Sequence, residues 1–179
     1  NFKNQSSVVE SITIDCDSCQ TLYLELAEDK YKGYAAQGWD LNKLKVMVVD
    51  GDRVILGNPR LDVEKASGDS FVVTVKKTSR GRTREIARDH ASDLIYRFQQ
   101  KDSVLLFEPY FFLNEGDKWR DQEVHINVKV PEGGTIFLNE EMVEIIYDIE
   151  NVTNTWDGDM VGKYWEMKPD GLTMKELTE

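Results

Sequence analysis

The chain has 179 residues, 40% hydrophobic and 31% charged, which suits one compact domain able to bury a core without disulfide staples. Its 22 Lys and Arg stand against 33 Asp and Glu, a formal charge of −11. That balance excludes nucleic acid as the main ligand, because phosphate backbones need clustered cations to release their counterions.

No apolar stretch approaches the roughly 20 residues of a membrane-spanning helix. No basic-then-apolar leader opens the chain. Asn1 is not a start residue, so the chain reads as an excised or processed piece.

Strand signals begin at Val8–Ile14 (VVESITI) and Leu22–Leu26 (LYLEL), short β-branched or alternating runs. Between them lies DCDSCQ, with Cys16 and Cys19 in C-x-x-C spacing. One such pair supplies half a zinc site, and no second pair exists. A thioredoxin-like redox motif needs a βαβ context, which strand-like flanks do not provide. Two thiols or one local disulfide in a strand-to-strand turn is the expectation.

Residues 28–42 read as a loop carrying Tyr31, Tyr34 and Trp39, the candidate contact surface for a protein partner; plain structural packing is the competing reading. Leu44–Val49, Asp50-Gly51 and Asp52–Leu56 form the clearest hairpin signal, because Gly takes positive φ without steric cost. Leu61–Lys65, Ser67-Gly68-Asp69 and Phe71–Lys77 resemble a second hairpin. The basic run from Lys76 to Arg84 reads as a solvated loop. Thr83–Leu94 is the one convincing helix, with Ile86, Ala87, Ala91 and Leu94 near helical spacing.

Strands are expected at Ile95–Phe98, Val104–Phe107 and Tyr110–Leu113. Glu123–Val130 alternates strictly, with Val124, Ile126, Val128 and Val130 on one face. A turn at 131–134 leads to a strand at Thr135–Leu138, and Val143–Ile149 reads as another. The fold class is therefore all-β: a stacked-strand ladder, solenoid-like or a two-layer sheet, with one short helix near 83–94.

Catalytic constellations are incomplete. His90 sits in the helix, and His125 lies on the face of its strand opposite Val124 and Ile126. There is no nucleophile elbow and no phosphate-binding glycine loop. Asp157, Asp159 and Gly162 match an EF-hand at three positions, but Val161 and Lys168 fall where ligands are needed, so a turn with solvated acids is expected. Paired carboxylates among so many acids leave a glycosidase-type hydrolase as a third hypothesis, which requires a cleft holding acids of perturbed pKa. The expectation is no enzyme, no metal and no cofactor.

The segment Tyr147–Leu172, with Asp157-Gly158-Asp159, Val161-Gly162, Trp165, Met167 and Gly171-Leu172, resembles the closing part of the C-terminal domain of Bacteroidetes-type phage-shock protein C (PspC) homologues. Val128–Leu138 is similar to a strand-turn-strand phrase of the wider toastrack group. The helix with its following IYRF, and the VLLFEPYF pair, are similar too. The resemblance runs from about Phe71 onward.

It implies a ladder of stacked strands and a non-enzymatic interaction or sensor domain of a membrane-anchored envelope-stress protein. It also implies a protein partner at the membrane, with the membrane reached through segments outside this chain. Localisation would be the cell envelope, as the soluble domain of an inner-membrane protein on either side of that membrane. The alternative is a surface adhesin or glycan-binding module. One β-rich domain is expected across 1–179, with 147–172 as a closing aromatic strap in which Trp156, Tyr164 and Trp165 cover the ladder.

Overall fold

The computed structural model describes residues 3–16, 19–34 and 44–177. Its strands are β1 (Asn4–Thr13), β2 (Thr21–Leu26), β3 (Leu44–Val49), β4 (Asp52–Gly57), β5 (Arg60–Lys65), β6 (Val72–Gly81), β7 (Phe98–Lys101) and β8 (Val104–Phe107). They continue with β9 (Phe111–Phe112), β10 (Glu123–Val130), β11 (Thr135–Leu138), β12 (Lys163–Lys168) and β13 (Gly171–Lys175). Helix α1 spans Arg84–Ser92, a 3-10 turn spans Glu140–Glu144, and the one-turn helix α2 spans Asp157–Met160.

The strands form a four-stranded sheet in the order β1-β6-β10-β5, a six-stranded sheet β13-β12-β11-β2-β8-β7, and a small sheet β3-β4-β9. The chain steps from the first sheet to the second at β1→β2 and again at β10→β11. Strands from distant turns thus stack in parallel: β5 on β10, β11 on β2, and β2 on β8. The fold is all-β, a ladder of stacked strands in layers.

Alternation explains the core. Val124, Ile126, Val128 and Val130 of β10 are all buried, as their period of two requires. They share one apolar cluster with Val73 and Val75 of β6, Leu22 and Leu24 of β2, Leu105 and Phe107 of β8, and Ile136 and Leu138 of β11. The two larger sheets therefore face each other across it.

Local chemistry sets the corners. Asp50 and Gly51 take φ of 51° and 88° between β3 and β4, as a tight hairpin turn demands. Thr83 caps α1, its hydroxyl accepting the Ile86 N–H at 3.2 Å. The helix lies so close to β6 that a Cβ on Gly81 would stand 2.6 Å from the Ala87 nitrogen.

Several expectations are corrected. The basic run is not a solvated loop: Lys76–Gly81 is the second half of β6, with Thr78 and Ser79 buried. β5 and β6 are not a hairpin: β10 lies between them, parallel to β5 and antiparallel to β6. Val143–Ile149 is not a strand. Asn139 caps the 3-10 turn, Met142 is buried beneath it, and only Ile146 forms an isolated bridge, to Leu61.

The last concerns the closing segment, which forms the edge of the six-stranded sheet rather than lying over it: β12 pairs with β11, and β13 with β12. Trp165 is fully buried within β12, and Tyr164 on the opposite face is half-buried. Trp156 covers no part of the ladder. It is 73% exposed and lies over its own turn, where a Cβ on Gly158 would collide with its ring.

The piece that does cross the sheet edges is 145–155. Ile145 and Tyr147 bond to both backbone groups of Leu61 on β5, and Val152 donates to Leu172 on β13 at 3.0 Å. Asp157 holds this strap, its carboxylate accepting the N–H groups of Asp148 at 2.7 Å and Ile149 at 3.0 Å. Asn151 adds bonds to Ile149 and Thr155.

Candidate functional site

The loop after β2 is brought against β9 by one carboxylate. Asp29 accepts the Tyr31 N–H through Oδ1 at 2.9 Å and the Tyr110 hydroxyl through Oδ2 at 2.9 Å. A short acidic side chain taking its own backbone two residues on is a common turn device. Here its second oxygen ties the turn to a residue some eighty positions away. Burial and this bond to Asp29 together push the Tyr110 phenol up to about 12.

The result is an aromatic cluster. The Tyr31 ring centroid lies 5.7 Å from Phe112, 6.3 Å from Tyr110 and 6.4 Å from Tyr34, all tilted or edge-on. Tyr31, Tyr110, Phe112 and Tyr96 line an open cavity of about 260 Å³ with Glu28, Lys30 and Glu108 at its margin. Tyr34 is 43% exposed, with its ring against that of Tyr31. Lys45 reaches the other side of Tyr110, 5.7 Å from the ring centroid.

Of the residues singled out in the sequence, Tyr31 and Tyr34 meet here, and Trp39 lies outside the described residues. Tyr110 and Phe112, the other half of the cluster, carry only a strand signal in the sequence. An apolar pair every second residue marks a strand, but says nothing of which loop will cover it.

A second cleft, of about 650 Å³, runs beside β5 and is lined by Asp62, His125, Asn127, Tyr147, Asp148 and Glu150 among others. Burial raises the Asp62 carboxyl to about 6, opposed by the Val63 N–H at 2.7 Å and reinforced by Glu64, Glu150 and Asp148. His125 is half-exposed, with Nε2 3.1 Å from Glu123 Oε2. Arg60 lies 4.3 Å over the Tyr147 ring at the cleft's mouth. The cleft holds acids but no nucleophile–base–orienter chain among the described residues.

Elsewhere the chemistry is structural. Cys16 and Cys19 form a disulfide, Cα atoms 5.3 Å apart, in the turn from β1 to β2. Asp157 serves the strap. Among the described residues, no group of three or more His, Cys, Asp or Glu side chains is placed to hold a metal ion. Tyr23, Phe137 and Tyr164 form a row across β2, β11 and β12, but their planes are inclined at 49° to 83°. That departs from the coplanar platform on which sugar rings stack. No helix among the described residues is long and apolar enough to cross a membrane.

A family model described as "ToastRack found in some PspC" matches residues 49–177. No curated protein and no solved structure matches the chain significantly.

Proposed function

The chain belongs to the ToastRack domains found in some PspC proteins, and from that premise we propose that it is a non-enzymatic interaction or sensor domain of a membrane-anchored envelope-stress protein. It takes its protein partner through the aromatic pocket at Tyr31 and Tyr110. The PspC toast-rack is a non-catalytic type of domain, and PspC membership points to a membrane-associated protein.

The observation that carries it is the aromatic cluster of Tyr31, Tyr110 and Phe112 lining an open cavity, with the Tyr34 ring against Tyr31. Tyrosines present wide, stiff surface with few torsions to freeze and a polar tip, which suits them as anchors at protein interfaces. Asp29 holds two of them in place beforehand, which lowers the ordering cost of binding.

The test is crosslinking in the membrane-bound parent protein. A photoreactive side chain at position 34 should give a discrete protein adduct. The same group at Trp119, equally exposed at 41%, should not, and Tyr31→Ala should abolish the adduct. Equal labelling at both positions, or an adduct indifferent to Tyr31→Ala, refutes the assignment.

A further inference from the structure

Each sheet edge poses the same question: what occupies its outward N–H and C=O groups. β5 is met by Ile145 and Tyr147 at Leu61, and the Asp62 carboxylate takes the next outward N–H, that of Val63. β13 is met by Val152. β1 is different. It pairs with β6 in an unbroken register of ten residues, Asn4↔Gly81 to Thr13↔Val72, and no described strand lies on its other side. The usual edge protections are missing: the strand is long, has no bulge and no proline, and carries a single charge, Glu10.

The direction of the free groups follows from the ladder. Ile14 donates to Phe71 at 2.9 Å in the same register. Even-numbered residues of β1 therefore turn their backbone groups toward β6, and Gln5, Ser7, Val9, Ser11 and Thr13 turn theirs outward. The side chains of these five share one face, away from the core, and Val9 is 56% exposed there.

This set is self-complementary. A second copy laid antiparallel about a twofold axis at Val9 brings Val9 against Val9, Ser7 against Ser11 and Gln5 against Thr13. All are hydrogen-bonded pairs, giving about ten new backbone bonds. Glu10 then lies opposite Val8, so no like charges meet. We propose that this chain dimerises by β1–β1 pairing centred on Val9, joining two four-stranded sheets into one continuous eight-stranded sheet. The inference stands apart from the Tyr31 pocket, and Tyr31→Ala should leave the dimer intact.

Sedimentation equilibrium of the whole chain over a wide concentration range reads the association. Wild type should form dimers, and Val9→Lys, which places two ammonium groups at the axis, should weaken them by about tenfold or more. Circular dichroism should show that the variant stays folded, since the side chain is on the outer face. Register is read separately by mild oxidation and peptide mapping. Val9→Cys should crosslink to itself, its two Cα atoms being about 5.5 Å apart. Ser7→Cys should not, as the two copies of that position stand roughly 13 Å apart. A chain that stays monomeric at every concentration, a dimer indifferent to Val9→Lys, or equal crosslinking at both positions overturns the proposal.

Discussion

Trp165 shows what a single side chain contributes here. It has no exposed surface, and its indole N–H donates to the Met160 carbonyl at 2.9 Å. Trp165→Ala should cost ~3–5 kcal/mol in urea unfolding, the price of a large cavity. Trp165→Phe should cost less, mainly the 1–3 kcal/mol or so of an unsatisfied buried carbonyl. Trp156→Ala, at a ring in water, should stay within about 0.5 kcal/mol. The sequence distinguishes these two tryptophans only through their neighbours. Trp165 and Met167 alternate with polar residues in KYWEMK, whereas Trp156 precedes DGD and has no periodic partner.

Asp62 makes a pH prediction at the same scale. Its folded pKa, about 6, lies above the ordinary 3.8, so the folded state holds the proton more tightly than the unfolded one. Stability is full below pH 4 and declines as pH rises through 6. The nominal loss of ~3 kcal/mol falls to about 1–1.5 kcal/mol once solvent screening at this half-buried site is allowed for. Asp62→Asn, whose amide oxygen still accepts from Val63, should be the more stable protein at pH 7.5 and lose this part of the pH dependence between 4 and 7.

Elements held by local chemistry were legible, and those held by remote partners were not. The Asp50-Gly51 hairpin, the Thr83-capped helix and the alternating β10 each carry their own signal within a dozen residues. The apparent hairpin of β5 and β6 failed because β10, some fifty residues later, inserts between them. No turn sequence forbids that. The strap's hold was not legible, because the Asn151 carboxamide and the Asp157 carboxylate that fix it bond to backbone groups, which carry no side-chain signal in the sequence. Asp157→Ala leaves two strap N–H groups without their acceptor. It should cost about 2 kcal/mol and raise hydrogen exchange at 148–152 before the sheets are affected. Reducing and capping Cys16 and Cys19 should cost about 2 kcal/mol, as expected for closing so short a loop.

At the scale of the molecule, the family match and the folded ladder have different limits. The match spans 49–177, yet β2, from outside it, lies between β11 and β8 and pairs with both. Leu22 and Leu24 are fully buried there. A chain cut to 49–177 has a gap in the middle of its six-stranded sheet. It should show no cooperative unfolding transition and should bind hydrophobic dyes, whereas a chain beginning at Thr21 should recover part of the transition. The layered all-β class was visible in strand spacing. The strand order was not, because parallel neighbours such as Tyr23 and Val104 share no local signal.

The position of β2 also bears on how the protein is made. Within this domain β2 is synthesised second, yet its neighbours β8 and β11 are encoded about eighty and about one hundred and ten residues later. At roughly 5–20 residues per second of synthesis, Leu22 and Leu24 wait several seconds, with two unpaired backbone edges, for a place to go. Few local contacts reward earlier collapse, so the ladder closes late and slowly. Demand for a holding chaperone should be set by β2, and a polar substitution on its outer, half-buried face should raise soluble yield more than it changes the stability of the finished fold.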